Sequence, residues 1–193
     1  FGRRASETRP DGTSTPWTYE DCTTAACWGL TDNLRLRVTE RLYDSAAVQV
    51  RAGEKYFDAL ERIQHAGGQR VLGTWTYTKT VYNNLGQKYE VHQPYSTTTN
   101  GFHRYAYDLL GRPTSDKLFN SSGVQDRETR MAYAGLKTTL TDARNYDTIK
   151  WTDVTGKLRR IIDPAPGGTT NYSFDPFGNL LRIEDAGTPA AVT

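Results

Sequence analysis

The chain has 193 residues, with 24 Lys and Arg against 22 Asp and Glu, a formal net charge of +2, 36% hydrophobic and 11% aromatic residues. That apolar share can bury one face of a sheet but is lean for a thick globular core. The basic residues Arg3-Arg4, Arg35, Arg37 and Arg159-Arg160 are scattered rather than gathered into a stripe, which argues against a nucleic-acid partner, and no apolar run reaches the length of a membrane span.

In chain order, Phe1-Gly2-Arg3 reads as the tail of a turn motif cut in half, so the missing signal peptide says nothing about export. Asp11-Gly12 marks a first reversal. The stretch from about 21 to 44 reads as a loop inserted between strands. It holds the only two cysteines, Cys22 and Cys27, which are open to a local disulfide or to two free thiols. Zinc is the weakest option, because about four ligands are needed and none lies near. Residues 45 to 65 contain helix-favouring Ala, Glu, Lys and Leu, but Val48 and Val50 alternate and Gly53 interrupts, so strand is the better reading. His65-Ala66-Gly67-Gly68 reads as a reversal. From Val71 to Val81, Val, Trp, Tyr and Val alternate with Thr, the two-residue period of a pleated strand.

From there one pattern recurs: an aromatic, Asp or Asn, two free positions, and Gly. Its copies are Tyr82-Asn83-Asn84-Leu85-Gly86, Tyr107-Asp108-Leu109-Leu110-Gly111, Phe119-Asn120-Ser121-Ser122-Gly123, Thr152-Asp153-Val154-Thr155-Gly156 and Phe174-Asp175-Pro176-Phe177-Gly178. Phe57-Asp58-Ala59-Leu60-Glu61 is a worn copy with Glu in place of Gly. Asp or Asn at the first corner of a type I turn accepts from the backbone two residues on, and Gly at the fourth takes a positive φ. Asn83 with Gly86, Asp108 with Gly111, Asp153 with Gly156 and Asp175 with Gly178 are therefore structural turn residues. The glycines recur near one interval or half of it and leave segments of roughly eight residues, the length of a strand. Asn100-Gly101, Asp142-Ala143-Arg144-Asn145 and Pro166-Gly167-Gly168 mark further reversals, and His103/Tyr105/Tyr107, Met131/Tyr133, Ile149/Trp151 and Tyr172/Phe174 repeat the strand alternation. The expectation is an all-β antiparallel meander.

No catalytic chemistry stands out, and no enzyme is expected. His65, His92 and His103 fall in separate segments without metal spacing, and Asp58, Asp108, Asp153 and Asp175 occupy turn corners. A nucleophile elbow, a phosphate loop and a dinucleotide fingerprint are all missing, so no catalytic, cofactor or metal site is assigned.

Tyr107-Asp108-Leu109-Leu110-Gly111-Arg112-Pro113, Phe174-Asp175-Pro176-Phe177-Gly178-Asn179-Leu180 and Asp153-Val154-Thr155-Gly156-Lys157-Leu158 resemble the tyrosine-aspartate (YD) repeats of the Rhs family, whose relatives include the cocoon components of Tc toxins and the barrels of teneurins. Phe1-Gly2-Arg3-Arg4 and Glu7 to Thr13 are similar to the stretch following the motif in bacterial members. The resemblance covers most of residues 1–193, read as one repeat segment of a longer protein; Glu61, Thr152 and the insertion depart from it. It implies hairpins forming a curved sheet, part of a spiral shell or barrel, that encloses a C-terminal toxin domain. Implied partners are the remaining repeats of the parent chain, that toxin domain, and secretion-system or cell-surface components; the implied location is secreted or on a bacterial surface. The family's self-cleavage sequence Asp-Pro-x-Gly is not carried over. Asp163-Pro164-Ala165-Pro166-Gly167 has its Gly one place late, and Asp175-Pro176-Phe177-Gly178 fits an ordinary repeat. The alternative is a carbohydrate-binding or adhesion module with Trp75 or Trp151 as platform.

Overall fold

The computed structural model describes residues 2–22, 27, 33–69, 73–98, 100–164 and 167–186. Among them are fifteen strands and no helix, and the strands follow chain order through the sheet, each antiparallel to the next wherever a register is defined. The chain divides into two compact units, residues 1–103 with 119–124, and residues 104–118 with 125–193.

The first unit contains β1 (Ser6–Thr8), β2 (Ser14–Asp21), β3 (Leu34–Tyr43), β4 (Gln49–Asp58), β5 (Ile63–Gln69), β6 (Trp75–Tyr82) and β7 (Lys88–His92), with the start of β8 (Gly101–Tyr107). Successive side chains of a strand point to opposite faces, so the registers sort them. Arg37, Tyr56, His65 and Lys79 share one row across β3 to β6, and Glu54, Gly67 and Tyr77 share the next. Tyr56 and His65 on this face are buried, at 1% and 2% exposed. The Tyr56 hydroxyl donates to Glu54 Oε2 at 2.6 Å, and burial pushes its pKa up. Cys22, Cys27, Leu34 and Tyr56 form the buried cluster.

The second unit holds most of β8 and of β9 (Pro113–Asn120), then β10 (Gln125–Ala134), β11 (Lys137–Thr141), β12 (Asp147–Thr152), β13 (Leu158–Ile162), β14 (Thr169–Phe174) and β15 (Leu180–Ala186). From β10 to β15 no described side chain is fully buried. This part is held by its hydrogen-bond ladders and by contacts between neighbouring strands, not by a core.

Within residues 45 to 65 the chain is strand rather than helix, as β4 and the start of β5, with a turn at Asp44 before β4 and the worn corner at Asp58 between the two strands. Two expectations are corrected. Within the supposed insertion of residues 21 to 44, Leu34 to Tyr43 are β3, paired with β2 and β4, because Leu36, Val38 and Glu40 alternate with Arg37, Thr39 and Arg41 across a regular ladder. His65-Ala66-Gly67-Gly68 is no reversal but the interior of β5. Gly67 is small because the Tyr77 ring lies over it, where any Cβ would collide. The expected strand from Val71 starts at Trp75 among the described residues; Val71 and Leu72 lie outside them, as do Phe1, Ala165 and Pro166.

At the turn position where Gly111 and Gly156 take φ of 78° and 84°, Glu61 and Ala47 are held at 58° and 60°. The left-handed region costs an ordinary residue roughly 1–2 kcal/mol, offset in part by roughly 0.5–1 kcal/mol of glycine chain entropy. Glu61→Gly is therefore expected to stabilise the chain by up to about 1 kcal/mol, raising its thermal midpoint by roughly 2–4 °C. Gly111→Ala is expected to lower it by a similar amount, and differential scanning calorimetry on both reads the sign.

Candidate functional site

The one chemical arrangement that this fold repeats is its turn. At Asp108 the amide donates to the Arg112 carbonyl (2.9 Å), the Gly111 amide donates to the Asp108 carbonyl (3.0 Å), and the amides of Leu110 and Arg112 both donate to Oδ1 (2.9 Å each). This is a type I turn closed by a left-handed residue, the three-residue hairpin loop with a bulge. The same four bonds recur at Asp44, Asp58, Asn83, Asn120, Asp142 and Asp153. At Asp175 both backbone bonds form and the Asn179 amide donates to Oδ1 at 2.8 Å. Gly86, Gly111, Gly156 and Gly178 all sit at positive φ behind their Asn or Asp. Asp44 is a corner that the sequence reading missed: Tyr43-Asp44-Ser45-Ala46-Ala47 is a worn copy of the same kind as that at Asp58, with Ala in place of Gly.

Several corners are clamped from outside. Arg62 Nε donates to Asp58 Oδ2 (2.8 Å), its guanidinium lies 4.5 Å from the Tyr82 ring centroid, and the Tyr82 hydroxyl donates to the Ile63 carbonyl (3.0 Å). In the second unit Arg112 repeats this on Asp108 (2.8 Å) and Tyr133 (4.2 Å), whose hydroxyl donates to the Pro113 carbonyl (2.8 Å). Near the start, Arg3 lies 5.2 Å from Tyr19, whose hydroxyl reaches the Arg4 carbonyl (2.9 Å). Arg159 donates to Asp153 Oδ2 (2.9 Å) and lies 5.1 Å from Phe174. Tyr82 and Phe174 are the aromatics that open the next copies of the motif. The aromatic letter thus cements one turn to the strand leading into another, a role invisible in a single copy.

These contacts set the carboxylates' chemistry. At Asp58 burial, which alone would raise the pKa, is outweighed by the Arg62 side chain and by backbone donors, and the net shift is downward. Asp108 follows the same logic with Arg112. Asp153 is lowered chiefly by the Thr155 hydroxyl, Asp175 by the Asn179 side chain and Asp142 by the Tyr146 amide. Ionised acceptors with their lone pairs committed to fixed donors are poor proton shuttles.

Other candidate positions do not converge. His65 faces Tyr56 at 6.2 Å between ring centroids, while His92 lies 3.7 Å from Glu90 and 5.3 Å from Phe102. Among the described residues, no three His, Cys, Asp or Glu side chains are grouped to hold a metal. Trp75 stacks on Tyr77 at 5.8 Å, and Trp151 has Lys137 at 5.7 Å and Arg160 at 5.1 Å, so both indoles are engaged within their own units. Cys22 and Cys27 are joined as a disulfide, both buried. No helix among the described residues is long and apolar enough to cross a membrane.

No family model matches the chain, and no curated protein matches it. Among solved structures it is similar to TcdB2-TccC3 without its hypervariable C-terminal region, with a TM-score of 0.60 at 18% identity over 84% of this chain. TcdB2-TccC3-Cdc42 and the Photorhabdus luminescens Tc holotoxin pore align over 90% of this chain at 15% identity, with TM-scores of 0.47 and 0.46. The chain spans 10% of the length of each of these. The first likeness is one of fold, the all-β antiparallel sheet.

Two outcomes follow from the clamped corners. A double-mutant cycle on Arg62→Ala and Tyr82→Phe and Tyr82→Ala, read by urea unfolding, is expected to give an Arg62–Tyr82 coupling of roughly 0.5–1 kcal/mol that needs the ring rather than the hydroxyl. Acid acts through the lowered carboxylates. Their contribution is fully present above the unfolded-state value of about 3.9 and is lost as pH falls through the depressed native values. The triple replacement of Asp108, Asp153 and Asp175 by Asn is expected to be less stable at neutral pH yet to lose stability less steeply below about pH 4. Equal steepness in the two proteins would show that the corners do not govern acid unfolding.

Proposed function

We propose that this chain is a wall segment of an Rhs-type shell that encloses a C-terminal toxin or effector domain of its own parent protein, exported from a bacterium or displayed on its surface. The observation that carries the reading is the recurrence of one hydrogen-bonded corner, with its Arg and aromatic clamp, on a meander whose strands are laid down in chain order. Such a sheet grows by adding hairpins, each tied to its neighbours, without a new core for each addition. The fold likeness to TcdB2-TccC3 supports it.

The rims and edge support it as well. Connections of a meander alternate between two rims, and in the second unit those following β8, β10, β12 and β14 share one. There Leu109, Leu110, Leu136, Val154 and Phe177 are exposed, four of them by more than three quarters. The turn itself does not require large apolar residues at its tip, so their recurrence fits a surface that meets more wall. On β15, Leu181 and Ile183 are 68% and 58% exposed, an apolar row that fits contact with more wall.

The test is made on the parent protein, its coding sequence read through on both sides. Limited proteolysis is expected to leave a downstream domain intact while the repeats are folded, and to digest it once Asp58, Asp108 and Asp153 are all replaced by Ala. A downstream domain cut equally fast in both proteins, or no domain there at all, overturns enclosure.

A further inference from the structure

Opposite the face that buries Tyr56, the first unit has a hollow of about 260 Å³. The registers run Trp17, Glu40, Gly53 and Gly68 in one row across β2 to β5, so the floor of the hollow is the bare cross-strand pair Gly53 and Gly68. Trp17 and Glu40 stand at one end of it, and Arg51 and Lys55 flank Gly53 along β4. Glu40 is half-buried, Arg51 and Lys55 are exposed, and none of the three makes a hydrogen bond or ion pair with any described residue.

Neither glycine takes a positive φ, and neither sits at a register shift of its ladder. A Cβ at Gly68 would meet nothing within 4 Å, and one at Gly53 only the Gly67 carbonyl, at an ordinary 3.5 Å. The other face of β5 shows how this sheet treats bare backbone. There the Tyr77 ring lies over Gly67, with its edge where a Cβ would stand, and a ring laid on a strand glycine restores packing that the missing side chain loses. Gly53 and Gly68 have no such cover: the nearest aromatic of their row, Trp17, is two strands from Gly53 and is held with the Arg4 guanidinium 5.2 Å from its centroid. Glycine within a strand weakens it, and where no bulge or bend calls for it, it marks a place where another molecule comes close. At about 260 Å³ the hollow is smaller than the roughly 300–1,000 Å³ of a site that encloses a whole small molecule, a size that suits one side chain.

We infer that this hollow receives one aromatic side chain, tryptophan or tyrosine, presented by an acidic segment of a partner protein. The ring lies flat on the floor as Tyr77 lies on Gly67, and its N–H or O–H donates to Glu40. Carboxylates beside the ring in the partner's sequence meet Arg51 and Lys55. A basic segment would set like charges against both cations, and an aliphatic side chain would neither lie flat nor offer Glu40 a donor. The site is separate from the wall reading and stands whether or not a domain is enclosed.

The experiment is calorimetric titration of the 193-residue chain with three capped tripeptides: Asp-Trp-Asp, Asp-Leu-Asp and Lys-Trp-Lys. Saturable binding of Asp-Trp-Asp with a Kd on the order of 1 mM is expected, with the other two roughly tenfold weaker or worse. Gly68→Val adds a β-branched residue where there is room for it, so its melting temperature is expected to stay level or rise while affinity for Asp-Trp-Asp falls roughly tenfold or more. Arg51→Ala, an exposed change that leaves the strand intact, is expected to narrow the preference for Asp-Trp-Asp over Lys-Trp-Lys. No saturation by about 10 mM Asp-Trp-Asp, equal affinity for Asp-Leu-Asp, wild-type affinity in folded Gly68→Val, or an unchanged preference in Arg51→Ala would each overturn the assignment. A dimer of the chain by light scattering that Gly68→Val abolishes would seat a second copy in the hollow and overturn it as well.

Discussion

A single oxygen atom decides most of this architecture. The Oδ1 of an Asp or Asn accepts two backbone amides that the tight reversal would otherwise leave unpaired, at Asp108 from Leu110 and Arg112. With those amides held, the next residue is delivered into the left-handed region and the following strand starts one residue out of step. That offset appears as the register shifts at Tyr56/Phe57, Val81/Tyr82, Trp151/Thr152 and Ser173/Phe174. Strand length, pairing and the side each side chain faces all follow from where the corners fall, because a slip of one residue would invert a strand.

Once the corners are set, the sheet needs little else, and from β10 to β15 it has little else. A buried core side chain contributes roughly 1.5–3 kcal/mol, while a cation over an exposed ring contributes roughly 0.5–1 kcal/mol. The second unit therefore accumulates stability in small repeated increments between neighbours, the economy of a solenoid rather than of a globule. The first unit differs. It buries Tyr56 beside the Cys22–Cys27 disulfide and Leu34. Closing so short a loop restricts the unfolded chain by less than a long one would, so the bridge fixes that local loop rather than the whole unit.

What could be seen in the sequence was whatever is local. The two-residue period of β6 and the corner pattern from Asn83 to Asp175 depend on residues within a few positions of one another, and they were legible. Asp44, with Ala47 in the left-handed position, is as local as Asp58 with Glu61, and its Tyr43-Asp44 opening was there to be read. The Gly67-Gly68 pair reads as a turn because glycine doublets usually mark one; what calls for Gly67 inside β5 is a ring from β6, ten residues away. Leu34 to Tyr43 looked like insertion because no corner pattern introduces it. The clamps were beyond reach for the same reason, since the aromatic of one motif serves the Arg of another.

Glycine shows most sharply in this chain which positions the fold itself demands. Gly86, Gly111, Gly156 and Gly178 are spoken for by their positive φ, and Gly67 by the Tyr77 ring over it. When those demands are removed, Gly53 and Gly68 remain, facing each other across two strands with space above them and an indole at the margin. Gly101, by contrast, takes φ of 125°, and a Cβ there would strike the Phe119 carbonyl. Both Gly53 and Gly68 weaken their strands relative to a residue with a side chain, and neither a positive φ nor a close neighbour requires them. In a sheet otherwise explained corner by corner, that pair is a stretch of ladder between β4 and β5 that the local demands of the fold do not account for.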